Sequence, residues 1–168
     1  MRVLVVYGSK RSGTAGIAES IRDALGEQHI DADAVAAEDA RSLDGYDAAI
    51  VGGALYAMRW PRSARRFVRR NSDALARVPV WFFSSGPLDA SATEREIPPV
   101  KQVRAMMDRV HARGHATFGG RLTPDAKGFP ASAMAKKNAG DWRDPEHIRR
   151  WVHDIAGALA PTIAATGE

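Results

Sequence analysis

Val3-Leu4-Val5-Val6-Tyr7-Gly8-Ser9-Lys10-Arg11-Ser12-Gly13-Thr14-Ala15-Gly16-Ile17 is the stretch that decides the fold. Val3 to Tyr7 form a short apolar run rich in β-branched residues, the pattern of a strand buried on both faces of a parallel sheet. Ile17, Ile21 and Leu25 then recur every four residues, which places them on one face of a helix. Between strand and helix, Ser9, Ser12 and Thr14 offer hydroxyls, and the helix start offers unpaired N–H groups at the positive end of its dipole. An anion held there needs no lysine. Two other phosphate loops are excluded. Gly8 and Gly13 have P-loop spacing, but Thr14 stands where the lysine belongs, and no G-x-G-x-x-G fingerprint follows the strand.

With 168 residues, 45% of them hydrophobic, the chain has room for one three-layer core. Residues 1–160 read as a single domain and 161–168 as a flexible C-terminal tail. The absence of cysteine excludes disulfides, thiol nucleophiles and Fe–S ligation, and points to a cytoplasmic protein. No apolar run approaches the roughly 20 residues of a membrane span. The net charge is +4, with arginines at 59, 62, 65, 66, 69, 70 and 77. Such a cluster suits an acidic partner, an anionic membrane surface or nucleic acid, but reads first as the solvated face of a helix whose buried face carries Ala64, Phe67, Val68 and Leu75. Aromatics do not interleave with them, so no nucleic-acid partner is expected.

The coarse pattern is strand 2–7, helix 14–27, strand 30–36, strand 47–53, helix 61–76, strand 79–85, helix 97–112, strand 115–120 and helix 144–159. Such alternation predicts an α/β, doubly wound parallel sheet with helices on both faces, whose ligand lies beyond the carboxyl ends of the strands. Three loops should meet there. The first is Ser9, Lys10, Arg11, Ser12, Gly13 and Thr14, suited to a phosphate. The second is Gly53, Ala54, Leu55 and Tyr56, and the third is Ser84, Ser85, Gly86, Pro87 and Leu88; both suit a flat ring with polar edges. Tyr56 and Trp60 are the aromatics placed to cover such a ring, whereas Trp81, Phe82 and Phe83 read as core. Metal chemistry is not expected. His111 and His115 have helical ligand spacing, but Gly114 ends the helix between them. No Ser-His-Asp set can be nominated.

On these loops the chain resembles the flavodoxin-like family, and within it the flavodoxin-domain proteins related to menaquinone-dependent protoporphyrinogen oxidase. Ser9 to Thr14 is similar to the family's phosphate loop, [S/T]-x-[T/R]-x-x-T. Tyr46-Asp47-x3-Val51-Gly52-Gly53-Ala54-Leu55-Tyr56, continuing through Ala64-x2-Phe67-Val68, resembles the third strand, ring-binding loop and following helix of the oxidase-like branch; Asp141-Trp142 resembles its approach to the last helix. The resemblance implies a five-stranded sheet of order 2-1-3-4-5 and FMN as cofactor, its phosphate in the first loop and its ring between the other two. It also implies an oxidoreductase passing electrons or hydride to a small-molecule or quinone partner. A non-enzymatic electron carrier with a redox-protein partner, and a module holding a deazaflavin or other phosphorylated ligand, stand as alternatives. Leu122 to Gly140, polar and carrying Lys136 and Lys137, is expected to be a mobile cover over the flavin or a point of peripheral membrane contact.

Overall fold

The computed structural model describes residues 1–9, 12–86, 91–122, 140–141 and 143–166. The chain runs β1 (Arg2–Gly8), α1 (Ser12–Glu27), β2 (Asp31–Ala36), β3 (Ala48–Ala54), α2 (Arg62–Arg70), α3 (Ser72–Leu75), β4 (Val80–Ser85), α4 (Ser91–Glu94), α5 (Lys101–Val110), β5 (Gly114–Phe118), β6 (Arg121–Leu122), β7 (Gly140–Asp141) and α6 (Pro145–Thr166). Five strands pair in parallel in the order β2-β1-β3-β4-β5, as the doubly wound reading requires.

Alternation along β1 divides the core. Val3 and Val5 face one layer with Ile17, Ile21 and Leu25 of α1 and Ile148, Val152 and Ile155 of α6. Leu4 and Val6 face the other, with Ala64, Phe67 and Val68 of α2 and Val103 of α5. β3 is buried at every position, whereas β2, at the sheet edge, is only half-buried. These burials follow directly from the period-2 and near-period-4 patterns in the sequence.

Several boundaries differ from the sequence reading. The helix expected over 61–76 breaks at Asn71, whose Nδ2 donates to the Phe67 carbonyl at 2.9 Å, competing with the helical ladder. Helices α1 and α5 are followed by His29 and His111 with φ of 60° and 56°, left-handed stops filled by histidine instead of glycine. Helix α6 runs through Pro161 to Thr166 and so takes in most of the residues read as the C-terminal tail. Pro161 forgoes one backbone hydrogen bond, and the neighbouring alanines favour helix strongly enough to carry it on.

Positions 123–139, most of the expected cover, lie outside the described residues. Their flanks are described. Leu122 pairs with Gly140 and Arg121 with Asp141 in an antiparallel ladder that rests against α1. Among the described residues, no helix is long and apolar enough to cross a membrane.

Candidate functional site

Parallel register aligns the carboxyl ends of the three central strands: Gly8 lies opposite Gly53, Gly53 opposite Ser84, and Ala54 opposite Ser85. The loops after β1, β3 and β4 therefore leave the sheet side by side. Order β2-β1-β3 also makes β1/β3 the point where the winding reverses, which is where open α/β sheets carry their ligands.

Ser85 joins the three loops. Its hydroxyl is 2.9 Å from Thr14 Oγ1 in the first turn of α1, and its carbonyl accepts the Leu55 N–H at 2.8 Å. Gly86, the next residue, donates its N–H to the Phe118 carbonyl at 3.3 Å and lies against Leu55. The close approach leaves little room for a side chain at Gly86, where a Cβ would stand 3.3 Å from Leu55 Cδ1.

The Thr14 hydroxyl thus has a protein partner at the junction of the loops. Thr14 is buried, and its Oγ1 is turned to Ser85. What the first loop offers outward is the helix start, with no acidic residue in the first turn of α1 to oppose an anion. Lys10 and Arg11 lie outside the described residues, as does the Ser12 side chain; Gly13 is buried and Ser9 half-buried.

In the second loop, Tyr56 and Arg59 exchange backbone hydrogen bonds of 2.9 and 3.0 Å across a two-residue tip, Ala57-Met58. Both tip residues have positive φ, 49° and 64°, the geometry of a type I′ turn that ordinarily takes Asn-Gly. Neither Ala nor Met adopts it without strain, and strain of this kind gathers at functional loops. Met58 is 67% exposed at the tip, Tyr56 is half-buried at its base, and Gly53 and Ala54 are buried beneath it.

Trp60 does not join them. Its side chain is 1% exposed, its ring centroid lies 5.0 Å from that of Phe82, and its Nε1–H donates to Ser84 Oγ at 2.9 Å. The expectation that Trp60 covers a ring is thus corrected: it fills the space above Gly53, where a Cβ would come within 2.7 Å of the indole. Only the pairing of β3 with β4 reveals this. Ser84 is likewise committed, since its fully buried hydroxyl also contacts His115 Nε2 at 3.1 Å. Burial, reinforced by Arg104, pushes the His115 pKa down to about 4. Its other ring nitrogen, Nδ1, is buried without a partner among the described residues. Pro87 and Leu88 lie outside the described residues.

One contact had no signal in the sequence. Arg143, held to Asp141 through Nε at 2.9 Å and Nη2 at 2.6 Å, packs its guanidinium against Gly16 of α1. Hydrogen bonding to Asp141 raises the Arg143 pKa. The motif residues Tyr46 and Asp47 sit at the opposite, amino edge of the sheet. There the Tyr46 hydroxyl donates to Asp33 at 2.8 Å and Asp47 accepts the Arg2 backbone N–H at 2.9 Å, both structural roles.

A family model described as "Flavodoxin domain" matches residues 4–135. No curated protein sequence matches the chain. Among solved structures, rubredoxin oxygen:oxidoreductase from Desulfovibrio gigas aligns with TM-score 0.66 at 13% identity over 97% of this chain, which spans 37% of that protein's length. A flavodoxin from the domain Archaea aligns with TM-score 0.64 at 17% identity, covering 95% of this chain and 99% of that one. A flavodoxin of Streptococcus pneumoniae TIGR4 aligns with TM-score 0.62 at 15% identity, covering 94% and 99%. At such identities the structural likeness establishes the fold, and the family model establishes the kinship: the chain belongs to the flavodoxin domain family.

Proposed function

We propose that this protein binds FMN at the carboxyl ends of β1, β3 and β4 and acts as an FMN-dependent oxidoreductase, passing electrons or hydride between the flavin and a small-molecule or quinone partner. The observation that carries the reading is the junction at Ser85, which ties all three loops together at the β1/β3 reversal. Flavodoxin with FMN is itself the standard example of a ligand bound at that point of this strand order.

The residues present suit the cofactor. A dianionic phosphate fits the start of α1, where no acidic side chain opposes it and the backbone donors are free of helical partners. Tyr56, half-buried beneath a strained tip, is the side chain to lie along the ring. Backbone groups of Gly53 to Tyr56 and of Ser85 and Gly86 would meet the ring's polar edge, and Met58 would shed water from it. When bound, FMN would supply the one- and two-electron chemistry, and the protein position and electrostatics.

A kinship with protoporphyrinogen oxidase rests on the sequence motifs alone. The carrier alternative is favoured by a separate observation, that the chain covers 99% of whole flavodoxins from two sources. The two readings part on turnover. An absorption spectrum and fluorescence titration with FMN, then a panel of quinone and small-molecule acceptors, should show flavin binding and acceptor-dependent turnover. Flavin that cycles without turnover would mean a carrier, and failure to bind FMN would overturn both. Tyr56→Ala should weaken FMN binding and shift the flavin potential, while Tyr56→Phe should preserve both.

A further inference from the structure

Beside the carboxyl end of β1, where the Ala37 N–H donates to the Tyr7 carbonyl at 2.8 Å and Ser63 lies against Gly8, the segment following β2 and the outer face of α2 enclose a groove of about 570 Å³. Arg62, Arg66 and Arg70 project into it from α2, one turn apart, and Arg41 faces them. Among the described residues none of the four forms an ion pair, although all are exposed. Like charges at i, i+4 repel, and Arg62 also sits in the first turn of its helix, where the dipole disfavours a cation. Folding therefore gathers positive charge here against a local cost, and does so around a concavity. The volume lies within the range of small-molecule sites, and guanidinium forks match phosphate oxygens in pairs.

One wall carries the opposite charge. Glu38 lines the same groove two residues after β2 and is paired with none of the arginines. A bare anion would be repelled by it, whereas a ligand carrying hydroxyls beside its phosphates would give it donors. Dinucleotide-binding folds use an acidic side chain for a ribose hydroxyl in the same chemical way, although their phosphates sit on a glycine-rich turn rather than on arginines.

The geometry points to a second ligand site, distinct from the candidate flavin site, that binds a nucleotide with at least two phosphates: the arginines hold the phosphates and Glu38 accepts from the ribose.

Calorimetric titration with ADP and with inorganic pyrophosphate, at low ionic strength and with and without saturating FMN, tests it. Saturable ADP binding is expected in both conditions, weakening as salt rises. The double variant R62Q/R66Q should bind both probes at least tenfold more weakly. With the like charges gone, its ligand-free melting temperature should be unchanged or higher, which separates lost binding from lost folding. E38Q should weaken ADP several-fold and tighten pyrophosphate. Absence of saturable ADP binding, or unchanged binding in R62Q/R66Q, would overturn the site. Equal responses of the two probes to E38Q would overturn the nucleotide assignment. So would a glutamate-rich peptide that binds more tightly than ADP, in favour of an acidic polypeptide. Because ADP is titrated without FMN as well, failure here leaves the flavin proposal standing, and the reverse.

Discussion

Thr14 Oγ1 and Ser85 Oγ lie 2.9 Å apart in the interior, joining the first turn of α1 to the last residue of β4 across 71 positions of sequence. Each hydroxyl satisfies the other, so losing one strands a buried polar group.

Thr14→Val or Ser85→Ala alone should therefore cost about 1–3 kcal/mol, while the double variant should cost less than the sum because no unpaired hydroxyl remains. Urea denaturation measures both. FMN affinity should fall in every variant, since the bond sets the spacing of the loops. Strictly additive stability losses would show that the two hydroxyls do not depend on each other.

Trp60→Phe keeps a ring against Phe82 but removes the N–H that reaches Ser84 Oγ. A loss of about 1–3 kcal/mol is expected. FMN affinity should not change, because a side chain 1% exposed cannot touch a ligand. A large loss of affinity with intact stability would return Trp60 to the binding surface.

His115 supplies a pH dependence. Its folded pKa, about 4, lies below the unfolded value near 6.5, so the unfolded chain binds the proton more readily. The contribution to stability is complete above about pH 6.5 and is lost as pH falls toward 4. The slope approaches about 1.4 kcal/mol per pH unit within that window. NMR titration of the imidazole, with denaturation from pH 7 to 4, checks it. A His115 pKa near 6.5 in the folded protein would refute the burial argument.

The tip Ala57-Met58 holds two non-glycine residues in left-handed backbone. Replacing the pair with Asn-Gly should raise stability by about 1–2 kcal/mol, since those residues adopt the turn readily. If the Met58 side chain covers the flavin, the same change should weaken FMN binding and speed reoxidation by oxygen. A variant that gains stability and loses no affinity would make the tip only a turn.

Much of the fold was legible because it is local. The β-branched run at Val3 to Val6 and the four-residue recurrence of Ile17, Ile21 and Leu25 determine a buried strand followed by a helix, and both are observed. Alternation of such units leaves a doubly wound parallel sheet as the economical packing, and the observed strand order agrees. The hydroxyl-rich turn after β1 was legible for the same reason.

Which groups within the three loops face a ligand was decided only by tertiary structure. Trp60 reads from sequence as an aromatic beside a strand end. It becomes core because Gly53 leaves a space above the sheet and Ser84, 24 residues away, accepts its N–H. Thr14 reads as a free hydroxyl, yet the packing of α1 against the end of β4 brings Ser85 Oγ within 2.9 Å of it. A hydroxyl has one proton to donate and two lone pairs to accept with, and which partners fill them depends on contacts between residues far apart in the chain. Local periodicity thus determined the elements, while packing determined which polar groups remained to act.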